Sequence, residues 1–379
     1  MKILQPGSLQ SLSWRVMRPI IFFISFVVLV SLSWAQNSQL EGTYSIVACD
    51  SATGDLGVAV QSTLLAVGSI VPYARAGVGA VATQGFINAG FGPRTLDLLN
   101  QGMSSQQAGD LLIHSDSIAS QRQMSIVDVK GNVFAYTGIS CRQYSGHVLG
   151  KGYTVQGSAI IGDNILKAMA RTFEITGGDL ADRLCAALEA AEREGKEKNQ
   201  THSAALLVVR DHGGYNGYND RFVDIRVDHD SLPLEQLQKI YGIWKSKYLL
   251  DARVRTIDQF NRYKNYSAAR TETERLVESL NSQLRNKPDD PDVLNSIAWS
   301  LAMLDIDKAR ALELAKRATT LAPARTDILN TLAECHYCLG NYDEAIAIES
   351  NLVAKEPAND QFWKQLEKFK ASKQSGNVK

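Results

Sequence analysis

The chain has 379 residues, more than one ordinary domain, so two domains are the starting expectation. Its 40 Lys and Arg balance 40 Asp and Glu, which gives no reason to expect nucleic acid or an anionic membrane as a partner held by bulk charge. An apolar content of 45% is that of a globular chain with a real core.

The amino terminus stands apart. Arg15 and Arg18 precede an apolar run from Ile20 to Val30, broken only by Ser25, and Ser33 and Ala35 put small residues before a cut after Ala35. That is the layout of a secretory signal peptide over residues 1–35, with Met17 as an alternative start. The competing reading is an uncleaved anchor, which needs about 20 apolar residues and finds no such span here. The expectation is a secreted or periplasmic protein with no membrane attachment after cleavage. Five cysteines follow, at 49, 141, 185, 335 and 338, so at least one stays unpaired within the chain whatever the compartment. Cys335 and Cys338 stand one helical turn apart with no second ligand pair, which reads as packing rather than metal.

Residues 42–84 hold three apolar runs, Tyr44–Ala48, Leu56–Gln61 and Val78–Ala82, the first two separated by the turn-forming residues 50–55. They predict a strand, a short hairpin loop and a second strand, both strands buried on both faces. Ala82 to Arg94 reads as a Gly-rich loop with polar residues, and helices are expected at Thr95–Asn100 and Ser105–His114. Strands follow at Gln123–Val129 and Val133–Thr137, then a loop over Gly138–Gly152 and a strand at Tyr153–Gly157. Amphipathic helices are expected at Asp163–Ile175 and Leu180–Gly195, and closing strands at Ser203–Arg210 and Phe222–Val227. Strands grouped around central helices argue a layered α+β domain over residues 36–230.

From Leu232 the chain turns charged and Gly-poor, and residues 231–285 read as a helical connector. Over residues 286–372 a period of 34 emerges: Ala311, Ala318 and Pro323 recur as Ala345, Leu352 and Pro357. With Leu329, Leu332 and the Gly340-Asn341-Tyr342 turn, this is the spacing of tetratricopeptide repeats, with the preceding helices open as a degenerate third unit. A generic helical bundle is the alternative.

The segments TYSIVACDSATGDLGVAVQS and VGSIVPYARAGVGAVATQ resemble the opening of domain-of-unknown-function family 1028, a bacterial and archaeal family of the N-terminal-nucleophile hydrolase-like superfamily. The likeness continues through Asn88, Gly92-Pro93-Arg94, Gly138 with Cys141, Gly146-His147, residues 153–157 and 203–210, and ends at residues 221–228. The resemblance implies a four-layer αββα sandwich, here followed by an α-helical repeat domain. It also implies a nucleophile at Thr43, whose own α-amine would act as base once the Gly42–Thr43 bond is cut. Without that chemistry, Thr43 is simply the first residue of a strand, a position Thr favours. The chain has no Lys between Lys2 and Lys130, and Gln61-Ser62-Thr63 stands where the superfamily's usual Asp would be, which disfavours a proteasome-like mechanism.

Gln84, Asn88 and Arg94 are candidates for substrate binding, as oxyanion donors and a carboxylate clamp, or else as caps of the following helix. His147 joins them; with Cys141 it could form a nucleophilic pair, and structural packing is the other reading. His202 and His212 flank a strand with no carboxylate at ligand spacing, so no metal site and no cofactor are expected. The sequence therefore points to an exported amide-bond hydrolase acting on an unknown small amide or peptide, with repeats that bind a protein or peptide. The alternative is a non-catalytic ligand-binding or scaffolding protein that keeps the fold. No nucleic-acid partner is expected, and homo-oligomerisation is left open.

Overall fold

The computed structural model describes residues 42–142, 144–195 and 201–376; the expected signal peptide lies outside them. The six-stranded first sheet has the order β10-β9-β2-β1-β8-β7 and the four-stranded second sheet β3-β4-β5-β6. Their strands are β1 (Thr43–Asp50), β2 (Asp55–Ser62), β3 (Pro72–Arg75), β4 (Gly79–Gly85), β5 (Arg122–Asp128), β6 (Val133–Thr137), β7 (Gly146–Gly150), β8 (Tyr153–Ser158), β9 (Ser203–Val209) and β10 (Arg221–Val227). All neighbours are antiparallel.

The central hairpin is the expected one. Its turn closes on Gly54, whose φ of +80° is left-handed and suits Gly. Side chains alternate along β1: Tyr44, Ile46 and Ala48 enter a core with helices, while Val47 enters the core between the sheets. Helices α1 (Phe91–Asn100) and α2 (Ser105–His114) cover the second sheet, burying Phe91, Leu96, Leu112 and Ile113 against Val81, Met124 and Ile126. Ser104 caps α2 in a capping box with Gln107. Helices α3 (Asn164–Ile175) and α4 (Leu180–Gly195) cover the first sheet through Leu166, Met169, Phe173, Leu184 and Leu188. The layers are thus αββα.

Three local expectations shift. Helix α1 begins at Phe91 rather than Thr95, with Pro93 inside its first turn, where the missing N–H costs nothing. The expected loop 138–152 contains β7, an edge strand of alternating exposure whose GHVLG sequence carries too few apolar residues to announce it. The first core also runs past residue 230. Helix α5 (Pro233–Trp244) packs Leu234, Leu237 and Tyr241 against Phe222, Ile225 and Val227. The change in composition near Leu232 marks a change of element type, not the edge of the core.

A π-helical turn at Lys245–Leu249 leads into α6 (Leu250–Arg262) and α7 (Tyr266–Asn286). Then come α8 (Pro291–Met303), α9 (Lys308–Leu321), α10 (Thr326–Cys338), α11 (Tyr342–Lys355) and α12 (Asp360–Gly376). The pairs α6–α7, α8–α9 and α10–α11 make three hairpin units closed by α12. The repeat-marking residues Ala311, Ala318, Ala345 and Leu352 are all buried. Cys335 and Cys338 pack from α10 onto the Ala298 and Ala302 carbonyls of α8, and all five cysteines are free. No helix of the described residues is long and apolar enough to cross a membrane.

The helical part is fastened to the turn end of β1–β2 by buried ion pairs. Arg210, just after β9, grips Asp55 through two 2.7 Å bonds and reaches Glu272 of α7 at 3.1 Å. Arg253 of α6 bridges Glu272 at 2.7 Å and Asp179, before α4, at 2.6 Å. Arg275 of α7 binds Asp50 at 2.6 Å. Burial alone would raise the Glu272 carboxyl, but Arg210 and Arg253 hold it below its ordinary value. Asp179 is less well compensated, and burial leaves its carboxyl raised.

Candidate functional site at the head of the central strand

The space between the sheets is apolar at one end and polar at the other. Val47, Leu56, Val58, Val60, Ala80, Val127 and Leu207 fill the first part. Thr43, Ser45, Ser62, Gln84, Gln123, Ser125, Thr154 and Gln156 make a polar seam, all of them buried. Several stand at alternate positions of strands β1, β5 and β8, because the period of two keeps a whole set on one face.

At the head of β1 the Gly42 carbonyl oxygen accepts the Thr63 N–H at 3.0 Å and the Ser62 hydroxyl at 3.3 Å. The Ser62 and Thr43 hydroxyl oxygens lie 2.7 Å apart. Ser62 has one proton; with that proton on Gly42, Thr43 must be the donor to Ser62. Two donors therefore converge on the carbonyl that precedes Thr43, and the Thr43 hydroxyl has an acceptor beside it.

Behind Thr43 the carboxamide of Gln84 is fixed in one orientation by three bonds that use both of its donors and its oxygen. Its Nε2 donates to the Thr43 carbonyl at 3.2 Å and to Gln123 Oε1 at 2.7 Å, and its Oε1 accepts from Ser45 at 2.7 Å. Gln123 Nε2 passes the network to Thr137 Oγ1 at 3.0 Å and to the Gly157 carbonyl at 2.8 Å. Thr137 Oγ1 lies 2.8 Å from His147 Nδ1. Gln156 Nε2 donates to Ser45 of its own sheet at 3.3 Å and ties the first sheet to the second through the Ala82 carbonyl at 3.1 Å.

Thr43, Gln84 and His147 are thus joined by one hydrogen-bond chain. Gln84 belongs to β4 rather than to a loop. The outer side of His147 faces an open cavity of about 630 Å³ that Thr137, Cys141, Tyr144 and Ser145 also line. Its inner side is desolvated against the strands, which holds the imidazole below its usual pKa and neutral at pH 7. Ser145 connects this cavity to the seam through a 3.1 Å bond to Ser158, the residue paired with Thr43 across β1–β8.

Asn88 and Arg94 stand elsewhere. Asn88 accepts the Gly90 N–H and donates to Asp116 at 3.2 Å, bracing the entry of α1. Asp116 also holds Arg122 at 3.1 Å, and Arg122 lies over the Phe86 ring, outside the seam. Arg94 is exposed on the first turn of α1. Cys141 donates to the Arg122 carbonyl while His147 engages Thr137, so the two have separate partners. Among the described residues no group of three His, Cys, Asp or Glu side chains gathers at metal-ligating distance. Sequence reasoning missed Ser62, Gln123, Thr137 and Gln156. The available signal was polar residues recurring every second position inside otherwise apolar strands.

These features define the protein as an αββα sandwich of N-terminal-nucleophile hydrolase-like architecture joined to a helical repeat. The chain belongs to the DUF1028 family of unknown function, whose model matches residues 43–237, and a tetratricopeptide-repeat model matches residues 307–368. It is similar to the crystal structure of a DUF1028 protein from Silicibacter pomeroyi, with 29% identity and a TM-score of 0.51, covering 56% of this chain and 90% of that one. It is also similar to the Sgt2 tetratricopeptide domain from Aspergillus fumigatus, with 20% identity and a TM-score of 0.26, covering 32% of this chain and 82% of that one. A thermophilic repeat protein from Thermus thermophilus is similar at 15% identity and a TM-score of 0.27, covering 55% of this chain and 97% of that one. No functionally curated protein matches.

Proposed function

We propose that this is an amide-bond hydrolase whose nucleophile is Thr43, freed by cleavage of the Gly42–Thr43 bond. The observation that carries this reading is the pair of donors, Thr63 N–H and the Ser62 hydroxyl, aimed at the Gly42 carbonyl oxygen beside the Thr43 hydroxyl. In the cleavage, Thr43 Oγ1 would add to the Gly42 carbonyl carbon and the two donors would stabilise the developing oxyanion. The C–N bond then breaks as the proton from the Thr43 hydroxyl passes to the Thr43 nitrogen, which frees the α-amine, and water hydrolyses the resulting ester to a Gly42 carboxylate and the Thr43 hydroxyl. The same donors would then serve an incoming amide, with the freed amine as base. Gln84 would hold the Thr43 carbonyl, and so the strand end, in place.

Export belongs to this reading, on the signal-peptide pattern of residues 1–35. The repeats supply a second activity. Tetratricopeptide repeats bind proteins or peptides, and the three helix pairs here are enough to bury a continuous core. The rival reading, a non-catalytic ligand-binding protein, draws on the seam itself: Thr43, Ser45, Ser62, Gln84, Gln123 and Gln156 are all uncharged, with no cation to lower the proton affinity of the amine.

A β-lactone probe tests the reading on protein that begins at Thr43. The expected result is a stoichiometric ester adduct, mapped to Thr43 by mass spectrometry and lost in Thr43→Ala. Absence of an adduct with the fold intact would favour the binding reading.

A further inference from the structure

We infer that a second cavity, at the other end of the first sheet, binds a single pyranose ring of a glycan. It lies between the loop after β9 and the turn joining α5 to α6, encloses about 240 Å³, and is independent of the Thr43 reading. The register places it: Val209 at the end of β9 pairs with Leu56, whereas Ser203 pairs with Ser62 beside Thr43.

Two aromatic walls meet there. Tyr215 and Tyr248 stand edge to face, with centroids 6.3 Å apart and planes at 82°, and Trp244 and Phe222 also line the cavity. Tyr215 is 72% exposed and Tyr248 45%, so folding alone does not explain why large rings sit here. Between them are polar groups in balanced pairs. Arg221 binds Asp224 at 2.6 Å, and Arg255 binds Asp251 and, at 3.2 Å, the Gly214 carbonyl. The buried Nε of Arg255 makes no hydrogen bond.

Two arginines against two aspartates leave no net charge, which disfavours a phosphate and a quaternary ammonium alike. What remains is a neutral ligand that both donates and accepts hydrogen bonds and offers an apolar face to an aromatic ring. A pyranose has both properties, since its hydroxyls donate and accept and its axial C–H groups make a flat apolar side. The volume falls below the roughly 300–1,000 Å³ of drug-sized sites, which leaves room for one ring.

The loop is built rather than slack. A Cβ on Gly214 would meet Asn219 Oδ1 at 1.8 Å, so any side chain there would have to displace Asn219. His212 and Asn216 hold left-handed backbone at φ +50° and +53°. Such strain persists where the surroundings impose it, and it concentrates at ligand clamps.

The test is calorimetry and saturation-transfer NMR on the full chain. The probes are glucose, galactose, mannose and N-acetylglucosamine, their β-linked tetramers, inorganic phosphate and tetramethylammonium. At least one sugar should bind with a dissociation constant in about the millimolar range or tighter. Tyr248→Ala should weaken it about tenfold or more, Tyr248→Phe should stay within about twofold, and Tyr218→Ala, on the same loop but outside the cavity, should change nothing. If Tyr248→Ala does not fold, Tyr215→Ala takes its place. Binding of no sugar overturns the inference, as does binding of phosphate or tetramethylammonium in their stead, or sugar binding that a folded Tyr248→Ala leaves intact.

Discussion

The two ends of one hairpin are built from opposite materials. At the head of β1, Thr43 sits among neutral hydroxyls and carboxamides whose bonds fix each orientation. At the turn, Asp50 and Asp55 sit in a cluster of carboxylates and guanidinium groups that anchors α6 and α7. The eight residues of β1 span seven steps, so about 23 Å separates the two. A charged cluster holds elements together because removing one member strands the others. A neutral seam can be rearranged at lower cost, and that suits a place where a bond is to be cut. The hairpin therefore fastens the repeats at one end, and the proposed cleavage at Gly42–Thr43 falls at the other.

Cutting one member from each end should expose this contrast in urea unfolding. Arg210→Ala leaves Asp55 buried without its partner, leaves Glu272 to Arg253, and should cost about 3–5 kcal/mol. Gln84→Leu leaves the Ser45 hydroxyl proton without its acceptor and Gln123 Oε1 without its donor, and should cost about 1–3 kcal/mol. The opposite ranking would mean that the seam, not the ion cluster, carries the stability.

A third buried group sharpens the point inside the repeats. Glu349 on α11 is wholly buried, with neither carboxylate oxygen hydrogen-bonded. Burial and the nearby Glu334 push its pKa up to about 7. The folded state then holds a proton that the unfolded chain releases above about pH 4.5, so stability falls as pH rises from there to about 7 and is flat beyond. Glu349→Gln should remove that slope and add about 1–2 kcal/mol at pH 8. A wild-type melting temperature unchanged between pH 5 and 8 would contradict this account.

Much of this was legible in the sequence. The hairpin is written in β-branched residues and a Gly turn, and the repeats in small residues 34 apart. A further signal of the third unit was present too, since Lys264-Asn265-Tyr266 matches Gly340-Asn341-Tyr342, and Lys264 and Gly340 share positive φ at 59° and 81°. β7 was hidden because an edge strand needs few apolar residues. The site was legible only in part. Of the candidate residues, Thr43, Gln84 and His147 share one hydrogen-bond network, but the bonds joining them run through Gln123 and Thr137, whose strands meet β1 only after both sheets have stacked. Asn88 and Arg94 are close to Gln84 in sequence, yet the chain leaves the seam at Gly85, whose φ is +74°.

The central claim rests on a single bond, and the mature protein reports directly on its state. Protein recovered from an exporting host should be sequenced from its amino terminus and weighed intact, beside Thr43→Ala. The account predicts a chain that begins at Thr43 in the wild type and stays uncut at Gly42–Thr43 in the variant. A homogeneous wild-type chain that begins at Gln36 would contradict it.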